Sequence, residues 1–466
     1  MKILALDLGT SSARGLVLDS TCNPIPGALA RRRVILDLGR DGAATLDGPT
    51  YLGQLVECLD ELSANGHLDG VEVVAASAQW HTIVPVEAGG APLGPVLTWL
   101  DTRPGPLPGA HGPMNEEDFH QRTGTWWHRL FWTVRLPWLR SRMAVTPARF
   151  TNLIGYLYGV LLEEAPMSVS HASGTGMLDL ADGTWDAEAC ELAGVNPGDL
   201  PQLAPIGWDG RLRIEYGRRW PALRNARWLA PVGDGAAASV GSHCLDERCV
   251  AVTVGTSAAA RLAQTMPVGR PLAPLPQGLW RYRVDHERVV TGAAYSNGGD
   301  LFAWANRELR LPKGKELEAA LAAVAPGEGV WADPRLGGDR PPGHAPAGSG
   351  QLRGIGFRTT AVEILAGLMN GLCRQVAEDL EEIESTVPAP VQAVLGGGAV
   401  AASPWWRRAF AVALAPREVY HVTHPEVGAI GAALLAAGLP HECRTFERVD
   451  PSTLGEWRDG FTQWCS

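Results

Sequence analysis

One short passage occurs twice in this chain, and that duplication constrains the fold more than any other feature. Near the start it reads Asp7-Leu8-Gly9-Thr10-Ser11-Ser12-Ala13-Arg14; near the middle it reads Thr253-Val254-Gly255-Thr256-Ser257-Ala258-Ala259-Ala260-Arg261. The copies are 246 positions apart in a chain of 466 residues. Each follows a β-rich apolar run, Ile3 to Leu6 and Val250 to Val252, and each continues into further apolar residues. A Gly-Thr-Ser corner between two strands is a tight turn whose backbone N–H and hydroxyl groups can face phosphate oxygens. Two such corners on related halves imply a phosphate clamp where two domains meet. The length points the same way, since it exceeds what one hydrophobic core holds.

The rest of the chain fits that division. Residues 1–242 read as a first domain and 243–466 as a second. The first opens with strands over Ile3–Leu8, Gly15–Leu18 and Arg33–Leu38, then a helix over Pro49–Asn65 and a strand over Val71–Ser77. The second opens with a strand over Cys249–Thr253. Helical spacing of Ile364, Leu365, Leu368, Leu372, Val376 and Leu380 predicts a long helix over Thr360–Glu384. A strand over Ala393–Leu395 and a helix over Pro404–Ala413 follow. Strands alternating with helices predict α/β layers in both halves.

A formal net charge of −10 argues against nucleic acid or an anionic membrane surface as a general partner. No apolar run is long enough to span a membrane. The eight cysteines lack Cys-x-x-Cys spacing and read as reduced, mostly buried thiols. With a strand beginning by Ile3, no signal peptide is expected, and the protein reads as cytoplasmic.

Four segments carry candidate chemistry. Asp7 ends an apolar strand, where a carboxylate needs a partner; a hydrated Mg²⁺ carrying nucleotide phosphates suits it. Thr10 and Ser11 can donate to phosphate oxygens, and Arg14 adds positive charge; the alternative is a plain hairpin. The acid of Val232-Gly233-Asp234-Gly235 sits at a strand-to-helix switch. Asp234 can take a proton from a hydroxyl that attacks phosphorus, or simply cap a helix. Gln79, Trp80 and His81 follow a buried strand, at the end where ligands gather in α/β folds. They can bind hydroxyls and cover an apolar sugar face, or belong to the core. Trp99 has the same two readings, while Asp101 and Arg103 can form an ion pair. The small residues of Gly396-Gly397-Gly398-Ala399 let a flat ring lie on the backbone before a helix N-terminus; a bare loop is the alternative.

Taken in order, these segments resemble the FGGY carbohydrate kinases. The resemblance also takes in Trp99–Arg103, Thr123-Gly124, Ala172–Gly176, Gly298-Gly299 with Trp304, Gly338-Asp339-Arg340-Pro341 and Gly428–Ala433. It implies an α/β fold of two duplicated actin-like domains (hexokinase-type, ribonuclease H-like) with a cleft between them. By the same resemblance Asp234 is the catalytic base and Asp7 the Mg²⁺-linked acid. Thr10, Ser11, Arg14, Gly255 and Thr256 hold the phosphates of ATP, and Gly299, Gly398 and Ala399 border its adenosine. Gln79, Trp80, His81 and Trp99 line the sugar pocket. The implied reaction is ATP-dependent phosphorylation of a terminal hydroxyl of a sugar, sugar acid or polyol, with a homodimer as the assembly. An apolar residue followed by His at positions 80 and 81 resembles gluconokinases and xylulokinases and departs from the Arg-Glu of glycerol kinases. Trp99–Arg103 and Gly292–Gly299 lean toward gluconate. The rivals are a pentulose or polyol kinase, a nucleotide-dependent sensor or scaffold of the same fold, and a phosphatase. Ser168, Asp339, Ala303, the bulk of Trp80 and the Trp126-Trp127-His128 run depart from the family pattern.

Overall fold

The computed structural model describes residues 1–325, 330–340, 347–387, 392–438 and 446–449. Pro341, Cys443 and Cys465 lie outside them. Strands β1 (Lys2–Leu8), β2 (Ser12–Leu18) and β3 (Pro24–Arg33) form an antiparallel meander. After helix α1 (Gly48–Ala64), β4 (Val71–Ala78) returns parallel to β1 on its other side. Short strands β5 (Asp209–Gly210), β6 (Arg227–Leu229) and β7 (Val232–Gly233) complete the sheet in the order β5-β6-β4-β1-β2-β3, with β7 paired to the end of β4.

The second half rebuilds this pattern. It uses β8 (Cys249–Val254), β9 (Ala258–Thr265), β10 (Trp280–Arg283), β11 (Arg288–Tyr295), β12 (Gln392–Gly396), β13 (Val419–Val422) and β14 (Phe446–Arg448). Their order is β10-β11-β9-β8-β12-β13-β14. Both sheets therefore contain three antiparallel strands continued by two parallel ones, β3-β2-β1-β4-β6 and β11-β9-β8-β12-β13. This is the duplicated α/β architecture the repeated corner predicted.

Local sequence explains the elements. Ile3, Leu4, Ala5 and Leu6 are all fully buried, as a central strand covered on both faces requires. Asp47 caps α1 by accepting from the Thr50 N–H at 2.9 Å. The long helix, Ala361–Glu384, starts at a capping box of Thr360 and Glu363 and buries Leu365, Leu368, Leu372, Val376 and Leu380. Of the strand expected at Arg33–Leu38, Arg33 ends β3 and Asp37–Leu38 form a separate two-residue strand. The inward residues of β3 include Ala28 and Ala30, whose small side chains leave little periodic signal among the surrounding polar and proline residues.

The two halves exchange helices. Helix α2 (Asp234–Gly241) follows the first sheet yet packs against β8 and β9. The helix Val427–Ala437 follows β13 of the second sheet yet packs against β1 and β4. The two helices cross where Gly431 meets the Ala237 carbonyl and Gly241 meets that of Val427, too close for any Cβ. Ile3, Ala5, Val240, Ala263, Val290, Ala429 and Ala433 share one apolar cluster at this seam, so the core is continuous from sheet to sheet.

Cys22, Cys58, Cys190 and Cys373 are free and buried. Cys244 and Cys249 lie side by side, with Cα atoms 5.0 Å apart. Among the described residues no helix is long and apolar enough to cross a membrane.

Candidate active site

The two corners are alike but not equivalent. In the first, Asp7 pairs with Arg14 and Leu8 with Ala13, and the Gly9 N–H donates to the Ser12 carbonyl at 3.1 Å. In the second, Val254 pairs with Ala258 and the Gly255 N–H donates to the Ser257 carbonyl at 2.9 Å. The second corner is one residue shorter, so the strands leave it one step out of phase. Thr253 stands where Asp7 does, and Ala259, not Arg261, stands where Arg14 does. Only the first copy carries an acid. Thr10 of the first corner and Ser257 of the second line one cavity. Ser11 and Thr256, the other hydroxyls of the two corners, are exposed. The tighter second turn brings forward the serine, not the threonine.

Asp7 and Asp234 meet beside these corners. Burial raises Asp7 to about 6; Arg14 opposes the rise, and the charges of Asp234 and Glu426 add to it. Arg14 Nη1 is 3.5 Å from Asp7 but 2.5 Å from Glu426, the residue before Val427–Ala437. Asp234 is the first residue of α2, and Gly233 holds the cap position before it. Its carboxylate accepts from the N–H groups of Gly235 (2.8 Å) and Trp80 (3.4 Å). Burial raises its pKa, while Arg261 and these two N–H groups hold it down. The result is a carboxylate facing the cavity with its proton affinity increased and its orientation set by backbone donors.

The cavity holds about 210 Å³ and is walled by Trp80, His81, Trp99, Trp126, Phe131, Trp280 and Tyr282 around Asp234. Trp80 fits because glycines surround its indole: a Cβ on Gly174 would lie 2.5 Å from Trp80 Cδ1, and Gly233 and Gly235 are similarly close. Its Nε1 donates to the Ser170 carbonyl at 2.9 Å. His81 has φ of +58° and its Nδ1 bonds the Gly174 carbonyl at 2.7 Å. Burial drives its pKa down to about 3, so the imidazole is neutral. With Nδ1 donating, Nε2 is left as an acceptor. Gln79 is a correction: it is fully buried and does not line the cavity. Alternation after β4 sends its side chain to the opposite side from Trp80. Asp101 and Arg103 form the simple ion pair, 2.6 Å apart.

The remaining predicted residues gather on the second half. The Gly299 N–H donates to the Gly255 carbonyl at 2.7 Å, and the Asp300 N–H to that of Thr256 at 3.2 Å. A Cβ on Gly299 would lie 3.2 Å from that of Ala399, and the space before Gly398 is open. Gly255, Thr256, Gly299 and Ala399 thus make a shelf of small residues and backbone. Sequence reasoning assigned no role to Arg261, Arg340, Trp126, Trp280, Tyr282 or Glu426. Trp280 and Tyr282 alternate on β10, a period-two signal that was legible. The departures are accommodated locally. Ser168 caps Val169–Ser173 through the His171 N–H, and Asp339 pairs with Arg335 at 3.3 Å.

The N-terminal domain of the FGGY family of carbohydrate kinases matches residues 2–210, and its C-terminal domain matches residues 250–438. A gluconokinase of Bacillus subtilis (strain 168) is 23% identical over 403 residues, covering 81% of this chain and 76% of that protein. A xylulose kinase of Streptomyces rubiginosus is 26% identical over 466 residues, covering 94% and 88%. The crystal structure of gluconate kinase from Lactobacillus acidophilus superimposes with a TM-score of 0.85 at 19% identity, covering all of this chain and 96% of that one. Two domain matches in order, a doubled sheet and a full-length structural likeness agree: the chain belongs to the FGGY family of carbohydrate kinases and is an ATP-dependent phosphotransferase.

Proposed function

We propose that this chain phosphorylates a terminal hydroxyl of a sugar, sugar acid or polyol, with gluconate the first candidate. One observation carries the reading: Asp234, raised in pKa and held by two N–H groups, faces the same cavity as both Gly-Thr-Ser corners. Asp234 orients the acceptor hydroxyl and takes its proton. Thr10, Ser257 and the backbone of the two corners hold phosphate oxygens, and Arg14 adds charge. Gly299, Gly398 and Ala399 border the adenosine. Trp80, Trp99 and neutral His81 position the acceptor. Rate enhancement comes chiefly from this positioning and charge placement. Residues 1–242 supply the acceptor side and 243–466 the nucleotide side.

Asp7 fits Mg²⁺. It is an enclosed carboxylate whose nearest cation is more closely engaged with Glu426. Mg²⁺ is commonly held by one or two carboxylates together with water and phosphates, and Asp7 would supply one. When bound, that ion neutralises phosphate charge.

The broader cover of the xylulose kinase likeness favours xylulose as the second reading. ADP release measured with gluconate, xylulose, glycerol and no acceptor tests both. Acceptor-dependent release with the highest kcat/KM for gluconate is expected. Hydrolysis indifferent to acceptor, or none, overturns the kinase assignment in favour of a nucleotide-dependent sensor.

A further inference from the structure

The second corner keeps a cation but no acid to match it. In the first, Arg14 faces Asp7 across the hairpin and binds Glu426 at 2.5 Å, so its charge is answered within the protein. In the second, Thr253 takes the place of the acid. Arg261 lies two rungs further from the turn than Ala259, on the same face of the sheet and opposite Ala251. Its Nη1 reaches back to Thr253 Oγ1 at 3.3 Å, a long bond to a neutral group. Its Nε is a buried atom with no hydrogen-bond partner among the described residues. Among those residues no carboxylate, that of Asp234 included, forms an ion pair with it.

This guanidinium lines the cavity together with Asp234, Thr10 and Ser257. A Cβ on Gly235, the residue after Asp234, would lie 2.9 Å from Arg261 Nε. Of the groups that favour the ionised form of Asp234, Arg261 acts most strongly, ahead of the two N–H groups and of Arg340. Arg340 also faces the cavity, but its guanidinium is stacked on Trp99, 4.3 Å from the ring. Arg261 therefore acts on Asp234 through the cavity without touching it. An enclosed cation lacking a counter-ion is costly, and the anion that the kinase reading brings to this place is the terminal phosphoryl group of ATP. We infer that Arg261 is a further catalytic residue, which donates N–H bonds to a non-bridging oxygen of that group as it passes to the acceptor hydroxyl held by Asp234. The acceptor oxygen bonds to phosphorus while the bond from phosphorus to the bridging oxygen breaks. The hydroxyl proton goes to Asp234, ADP leaves with the bonding pair, and Arg261 keeps its own protons. A fixed guanidinium stabilises the charge spread over the phosphoryl oxygens in transit. The inference rests on the kinase reading above.

The test measures kcat and KM with the acceptor that gives wild type its highest kcat/KM. Arg261→Gln should lower kcat by about a hundredfold or more and change KM for ATP and acceptor by about threefold or less, since the contact is made chiefly during transfer. Arg261→Lys keeps the charge without the fork and should retain part of the rate. Calorimetry then follows ADP binding with Mg²⁺ and acceptor, with and without aluminium fluoride, a mimic of the phosphoryl group in transit. The mimic should tighten ADP binding to wild type, and Arg261→Gln should lose about tenfold or more of that gain while binding ADP alone as wild type does. A kcat for Arg261→Gln near that of wild type overturns the proposal, as does an undiminished gain from the mimic. A loss confined to KM for acidic acceptors assigns Arg261 to the acceptor and overturns it. A rate recovered in full by raising the pH means that Arg261 acts only through the proton affinity of Asp234, and also overturns it. Thr253→Val, close in shape, removes the one anchor of Nη1 and should lower kcat by about threefold or more. If the Arg261 variants do not fold, an unchanged kcat in Thr253→Val overturns the proposal. Failure of the kinase reading shows separately, as absence of acceptor-dependent ADP release by wild type.

Discussion

Asp7, near the end of β1, and Asp234, at the start of α2, lie close enough for the charge of Asp234 to raise the Asp7 pKa. Burial has the larger effect on Asp7, and burial also raises Asp234. Two acids so placed repel, and cations resolve the repulsion. Arg14 stands beside Asp7 and Arg261 beside Asp234. In the proposed reaction the pair joins the phosphate tail to the hydroxyl that loses its proton.

Replacing Asp234 with Asn preserves shape and removes the proton acceptor. Turnover should fall by about two or more powers of ten while KM for ATP changes little. Steady-state kinetics on both substrates check this. Near-full turnover would remove Asp234 from the role.

Asp7→Asn should stabilise the nucleotide-free protein in a pH-dependent way. The folded pKa of Asp7, about 6, exceeds the ordinary value of 3.8, so the folded state favours the protonated acid. Its ionised form weakens the fold above pH 6, and that penalty disappears as pH falls toward 4. The substitution should therefore add about 1–3 kcal/mol at pH 8 and almost nothing near pH 4. Urea titrations at the two pH values measure it. A gain independent of pH would contradict the burial of this charge.

His171 predicts the opposite slope. Burial lowers its folded pKa to about 4, against an ordinary 6.5. The neutral ring contributes stability above pH 6.5 that is lost as pH falls toward 4. His171→Gln should flatten the dependence of unfolding free energy in that window by up to about 1.4 kcal/mol per pH unit. Parallel pH series of wild type and variant decide it.

At the helix crossing, Gly431→Ala should destabilise by about 2–4 kcal/mol, because the added methyl meets backbone that has nowhere to move. Gly53→Ala, on an exposed face of α1 with open space around it, is the matched control. It should be neutral or stabilising by up to about 1 kcal/mol. Calorimetry on both separates a packing effect from a general response to losing a glycine.

The doubled fold and the acid at position 234 were legible because both are local. The repeat lies on consecutive residues, and an acid between two glycines marks a strand-to-helix switch whatever surrounds it. The phase slip between the corners was not legible. It depends on which residues pair across each hairpin, so Arg261 looked like a copy of Arg14 when Ala259 occupies that place. Gln79 was misplaced for a similar reason: where the strand pairing ends decides which side chain faces the cavity. Arg340 and Trp99 are 241 positions apart, and no spacing rule connects them. Only the closure of the second half over the first brings the guanidinium onto the ring.

The crossed helices make this molecule indivisible. A fragment ending before residue 243 would keep β1 but lose the cover that Ala429, Ile430 and Ala433 lay over Ile3 and Ala5. The complementary fragment would lose the support that Ala236 and Val240 give to its own strands. Each piece would be left with a bare oily flank and no means of hiding it, so neither half stands as a folded unit without the other.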